Sequence, residues 1–228
     1  MEKIVEGMVW YVAFVFSVVV HEAAHALAAL KLGDPTAYHG GQVTLDPWPH
    51  IKREPIGTVA VPIVSFLLGG WMIGWASTPY DPFWARRYPQ RSALMSLAGP
   101  LSNLILIVLS GIIIVWGLKS GFFFRPGPGG FSFSSIVESA PGSFLSAVAV
   151  FISILFSLNV ILFAFNLLPL PPMDGSNAVV LLLSEETTQK YLDFIQNPIY
   201  GFIGLFIAWN LFGYVLRPIF KLARNLVY

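Results

Sequence analysis

Two histidines and a glutamate stand together at His21-Glu22-Ala23-Ala24-His25. Histidines four residues apart share one face of an α-helix, so both imidazoles can reach a single metal ion. Imidazole suits zinc, the usual metal of this HExxH pattern. Glu22 would then lie beside the metal, placed to take a proton from an attacking water. The small Ala23 and Ala24 leave room for a substrate or another helix. Such a pentapeptide arises by chance fairly often in soluble helices. Here it lies inside an apolar run, Met8 to Leu30, where ionisable side chains are costly and usually functional. The alternative is three polar residues merely hydrogen-bonded to neighbouring helices, which leaves the cost of burying them unexplained.

Catalytic zinc normally takes three protein ligands and a water. The chain has no cysteine, so disulfides and thiol chemistry are excluded and the third ligand must be His, Asp or Glu. The extended pattern HExxHxxGxxH fails, because Ala28 holds its glycine position and Lys31 its third histidine. His39, His50 and Glu54 in the following loop are candidates. So is Asp174, in the stretch Asn166-Leu-Leu-Pro169-Leu-Pro171-Pro172-Met-Asp174-Gly175. Prolines there unwind a helix end and free backbone groups, and Gly175 permits a tight turn just past the carboxylate. Taken alone, Asp174 reads equally well as a ligand or as a helix-stopping aspartate.

The elements that must carry these residues are membrane helices. Of 228 residues, 56% are hydrophobic and 11% charged, with a mean hydropathy of +0.71. A soluble domain carries roughly 25% charged residues, so this chain cannot build a polar shell. A net charge of +1 suggests no nucleic-acid partner. Four apolar runs are long enough to span a bilayer: Met8 to Leu30, Ala93 to Leu118, Ser143 to Leu168 and Pro198 to Leu216. His21, Glu22 and His25 are the only ionisable residues inside them. A fifth run, Ile56 to Ala76, is broken by Pro62, Gly69-Gly70 and Gly74. Over 36–50, Gly40-Gly41 precedes an alternating Gln42-Val43-Thr44-Leu45-Asp46, the pattern of a small membrane-associated β-hairpin. The expectation is an all-α polytopic membrane protein: four transmembrane helices, a re-entrant hairpin at 56–76 and the β-hairpin at 36–50. Residues 119–142 read as a loop hugging the interface, and the basic C-terminal tail as an interfacial helix. A signal-peptide reading of the N-terminus is poor, because Glu22 separates the apolar stretch from Ala26-Leu27-Ala28. Residues 1–228 read as one membrane-embedded domain.

Three stretches together resemble the site-2 protease family of intramembrane zinc metalloproteases. They are the HExxH of His21 to His25, Ala98-Gly99-Pro100-Leu101-Ser102-Asn103, and the NxxPxPxxDG stretch from Asn166 to Gly175. Their order and their placement at helix ends also fit, and the likeness covers nearly the whole chain. The resemblance implies that His21, His25 and Asp174 bind zinc and that Glu22 is the catalytic base or acid. It implies cleavage of substrate transmembrane helices within the bilayer, as in regulated intramembrane proteolysis, by an active site toward the cytosolic side of a prokaryotic cell membrane. The chain is similar to compact prokaryotic members, with no room for a PDZ or CBS domain, and the 56–76 run resembles an insertion found among them.

The motifs also constrain topology without the family. His21 and His25 lie toward the C-terminal end of their helix, and Asp174 lies just past the end of its own. If they share a metal, the two helices run parallel. A spanning 56–76 segment would make them antiparallel and strand Asp174 on the far side. A hairpin turning near Gly69-Gly70 keeps them parallel. Basic residues divide seven to six between the two sides on this topology, so charge does not orient the chain.

The working mechanism is peptide hydrolysis. Asn166 is the first choice of oxyanion donor and Asn103 the second. Asn159 shares a helical face with Asn166. Interhelical hydrogen bonding explains Asn103 and Asn159 equally well. A substrate helix must unwind before cleavage, and the 42–46 strand could pair with it by strand addition. A serine–histidine membrane protease would need a later histidine, and an aspartyl type a second membrane aspartate. The principal rival is a metal transporter or sensor in the membrane, which would use the same ligands without needing Glu22.

Overall fold

The computed structural model describes residues 2–127, 132–142 and 144–228. Ser143, the first residue of the third apolar run, and part of the 119–142 loop lie outside the described residues. The chain opens on α1 (Glu2–Leu32), followed by two short helices, α2 (Thr36–His39) and α3 (Pro47–Arg53). A π-turn at Ile56–Ala60 runs into α4 (Val61–Gly69), and α5 (Pro82–Arg87) leads into α6 (Pro89–Lys119). Then come α7 (Phe144–Asn166), α8 (Asp174–Ala178), α9 (Glu185–Ile195) and α10 (Pro198–Val227). Four of these, α1, α6, α7 and α10, are long and apolar enough to cross a bilayer. The protein is an integral membrane protein of all-α build, with no β-strand among the described residues.

The four long helices pack around α7, the most buried of them, while α10 lies at the periphery. Trp10, Phe14 and Val18 of α1 pack with Ile154 and Leu158 of α7. Ile114 of α6, Phe156 of α7 and Phe220 of α10 belong to a second cluster. Contacts advance together along α1 and α7. Ser17 meets Asn159, and a turn further along α1 His21 meets Asp174, beyond the end of α7. The two helices therefore run parallel, as a shared metal requires.

The broken run at 56–76 folds back on itself. α4 ends at Gly70, whose left-handed φ of 74° suits only glycine cheaply, and the chain returns without regular secondary structure. The Trp75 N–H donates to the Gly57 carbonyl at 3.1 Å, and the Ile73 N–H donates to Ser65 Oγ at 3.0 Å. A Cβ on Gly57 would meet the Trp75 carbonyl at 2.3 Å, and one on Gly74 the Gly57 carbonyl at 2.2 Å. Glycine at both positions lets the limbs touch at the neck.

Two expectations need correction. The β-hairpin at 36–50 is absent, and α2, a bend and α3 occupy its place. Pro47 lacks the N–H a strand ladder needs but suits the first turn of a helix. Asp46 caps that helix by accepting from the Trp48 N–H at 2.9 Å. This local chemistry outweighs five alternating residues. The basic tail is not a separate interfacial helix either. α10 continues through Pro218 to Val227, because Leu216, Phe220 and Val227 all face the bundle. Since the limbs of the 56–76 hairpin meet at its neck, single cysteines at Arg53 and Arg87 should label with an impermeant thiol reagent from the same side of the membrane. Labelling from opposite sides would contradict this topology.

Candidate active site

One turn of α1 separates His21 from His25, both buried, with their Nε2 atoms 3.0 Å apart. Asp174, at the start of α8, brings Oδ2 within 3.1 Å of His21 Nε2 and 3.3 Å of His25 Nε2. These three are the one cluster of potential metal ligands among the described residues, with ligand atoms within 4.8 Å of one another. The loop candidates are elsewhere engaged. His50 is buried with Nε2 against the Thr44 carbonyl, Glu54 accepts from Ser77 Oγ at 2.6 Å, and His39 is exposed.

Helix α6 sets the protonation of both imidazoles. His21 Nδ1 lies 2.6 Å from Asn103 Oδ1, and His25 Nδ1 lies 2.8 Å from the Met95 carbonyl. A carbonyl only accepts, so His25 carries its proton on Nδ1. The same follows for His21 by a longer route. Asn159 Nδ2 donates to the Leu155 carbonyl at 2.7 Å and to Ser17 Oγ at 2.9 Å. That orients the Asn159 amide so that Oδ1 accepts from Asn103 Nδ2 at 2.8 Å. Asn103 must then present Oδ1 to His21, whose Nδ1 is the donor. Both Nε2 lone pairs thus face the Asp174 carboxylate. Electron-pair donors converging this closely repel one another unless a cation lies between them.

The donor set fits zinc: two imidazole nitrogens and a carboxylate, with the outer ring nitrogens held by hydrogen bonds that orient them. Gly99 keeps the space beside the ligands open. A Cβ there would come within 2.3 Å of His25 Nε2 and 2.5 Å of His21 Nε2. The next residue, Pro100, lies inside α6, where the ring removes a backbone donor from this turn.

Asp174 is held by its neighbours in turn. A Cβ on Gly175 would meet the Leu167 carbonyl at 2.4 Å, so α8 packs tightly on the end of α7. Asn177 Nδ2 donates to Ser92 Oγ at 3.0 Å and Ser96 Oγ at 2.7 Å, tying α8 to α6. Tyr191 of α9 donates to the Ser176 carbonyl at 2.8 Å. Glu22 is buried, and its Oε2 accepts from Thr78 Oγ1 at 2.8 Å. Thr78 was not legible beforehand, since a lone threonine in a proline-rich connection carries no signal.

A cavity of about 910 Å³ opens beside the cluster. His21, Glu22, His25, Thr78, Asn166 and Asp174 form its polar side. Trp71, Trp75, Phe206, Trp209 and Phe212 are among its apolar walls. Asn166 thus shares the cavity with the acidic and imidazole groups. Asn103 and Asn159 do not, being fully buried with both amides engaged, which removes them as oxyanion donors.

The profile of Peptidase family M50 matches residues 9–211, and the chain belongs to that family, the site-2 protease family. Membership makes it a zinc-dependent metallopeptidase and sets aside the transporter and sensor reading. The chain is 32% identical over 217 residues to the protein named "Putative zinc metalloprotease YwhC" of Bacillus subtilis (strain 168), covering 94% of this chain and 86% of the relative. It is 28% identical over 174 residues to Rip2 of Mycolicibacterium smegmatis, covering 76% of this chain and 57% of the relative. Against Rip2 of Mycobacterium tuberculosis the figures are 27% over 206 residues, 90% and 69%. No solved structure matches the chain significantly.

The close approach at Gly99 generates a direct test. Gly99→Ala should lower zinc affinity at least about 10-fold, in the range of perturbed ligand-supporting contacts, in a chelator-competition titration. Unchanged affinity would show that α6 does not press on the imidazoles.

Proposed function

We propose that this protein hydrolyses peptide bonds in or near the transmembrane helices of other membrane proteins. The observation that carries the reading is the position of the cluster. It lies between long apolar helices, on the wall of a largely apolar cavity, rather than on a loop outside them. In this account His21, His25 and Asp174 hold the zinc ion. Zinc, when bound, supplies the Lewis acidity that activates water and polarises the scissile carbonyl. Glu22 takes the proton of the attacking water and delivers one to the leaving nitrogen. Asn166 donates to the developing oxyanion, a role favoured by its place on the same cavity wall.

The remaining assignments follow from this reading. The 56–76 hairpin re-enters the bilayer, which accords with the outward Ile63, Val64, Leu67 and Leu68 of α4. With no strand at 42–46, the return limb is the segment placed to meet an unwound substrate, since it lines the cavity from Trp71 to Tyr80. In this reading the active site faces the cytosol of a prokaryotic cell, an orientation the family resemblance supports. The chain acts as one membrane-embedded domain, since its metal cluster joins residues from 21 to 174.

Cleavage of a membrane-helix substrate and zinc content, measured together, test these roles. Glu22→Gln should keep zinc and lose about 10²–10⁴-fold in kcat, whereas Asp174→Ala should lose zinc. Full activity in Glu22→Gln would remove the general base, and full zinc retention in Asp174→Ala would remove the third ligand.

A further inference from the structure

A carboxylate among apolar helices needs a hydrogen-bond donor, because an unpaired buried charge is costly. Glu22 finds its donor on another element. Thr78 Oγ1 lies 2.8 Å from Glu22 Oε2 and 2.9 Å from the Glu22 backbone carbonyl. The hydroxyl has one proton. The carboxylate is the stronger acceptor, and the helical carbonyl already serves the α1 ladder.

We propose that Thr78 is a positioning residue for the general base, through which the 56–76 hairpin and its return limb hold the Glu22 carboxylate in its working orientation. This rests on the reading of Glu22 as the base. By engaging Oε2, Thr78 leaves Oε1 to take the proton from water in the cavity that Glu22 lines.

The limb is built to deliver this hydroxyl. Its adjacent side chains at 77 and 78 serve different elements. Ser77 turns to the neck, where it donates to Glu54 Oε1 at 2.6 Å and accepts from Arg53 Nε at 3.1 Å. Thr78 turns to α1. Before it, the Trp75 N–H is tied to the Gly57 carbonyl. After it, the Asp81 N–H donates at 2.8 Å to Oδ2 of the buried Asp34. Asp34 is itself anchored by accepting from the Thr36 N–H and hydroxyl. Anchors on both sides leave little freedom to slide, the condition for orienting another side chain rather than merely touching it.

The test compares Thr78→Val, which keeps shape and loses the hydroxyl, with Thr78→Ser, which keeps the hydroxyl. The full chain is loaded with zinc and assayed on a membrane-helix peptide. Thr78→Val should lower kcat about 10- to 100-fold, with KM and zinc content unchanged. Thr78→Ser should restore kcat. On a Glu22→Gln background, Thr78→Val should have no further effect. The proposal is overturned if Thr78→Val keeps wild-type kcat while Glu22→Gln is inactive, or if it loses zinc or its thermal stability. It is overturned equally if Thr78→Ser fails to rescue. An active Glu22→Gln variant would instead overturn the reading of Glu22 as base, so the two failures are distinct.

Discussion

Inside a bilayer there is no water to satisfy a polar group, so each one must find its partner within the protein. That constraint organises this molecule. α1 brings two histidines and a glutamate into the apolar bundle, and the surrounding elements supply their partners. α6 gives His21 an amide and His25 a carbonyl. The hairpin limb gives Glu22 a hydroxyl. The start of α8 brings a carboxylate up to both imidazoles, so that a cation bound there would be the shared partner of all three. Helix association in lipid gains little from apolar contact alone, so these polar ties also specify how the helices sit.

α6 is the template. Within three turns it presents Ser92 and Ser96 to Asn177, the Met95 carbonyl to His25, Gly99 to both imidazoles, and Asn103 to His21. All three proposed ligands are therefore registered against one helix. The buried chain from Ser17 through Asn159 and Asn103 does more than bridge helices. Its polarity starts from a backbone carbonyl at Leu155 and ends by directing the His21 Nε2 lone pair into the cluster.

The sequence made the chemistry more legible than its scaffolding. HExxH works through a helical repeat, and Asp174 stands out because acidic residues are scarce near the long apolar runs. The parallel course of α1 and α7 followed from where their ligands lie, and the fold-back at 56–76 from its glycines. The short connections were harder. The alternation at 42–46 pointed to a strand, but Asp46 and Pro47 start a helix instead. The partners of Glu22 and His21 were hardest of all. Thr78 and Asn103 lie 56 and 82 residues away in sequence, and an isolated threonine or asparagine in such segments has many uses. Only the packing of α6, α7 and the hairpin against α1 selects the use made here.

The central claim is that His21, His25 and Asp174 form one zinc site in the membrane region. X-ray absorption at the zinc edge of the zinc-loaded protein tests it most directly. The account predicts two imidazole nitrogens at about 2.0–2.1 Å with oxygen donors completing a four-coordinate shell. A shell with one imidazole or three, or a signal unchanged by Asp174→Ala, would contradict it.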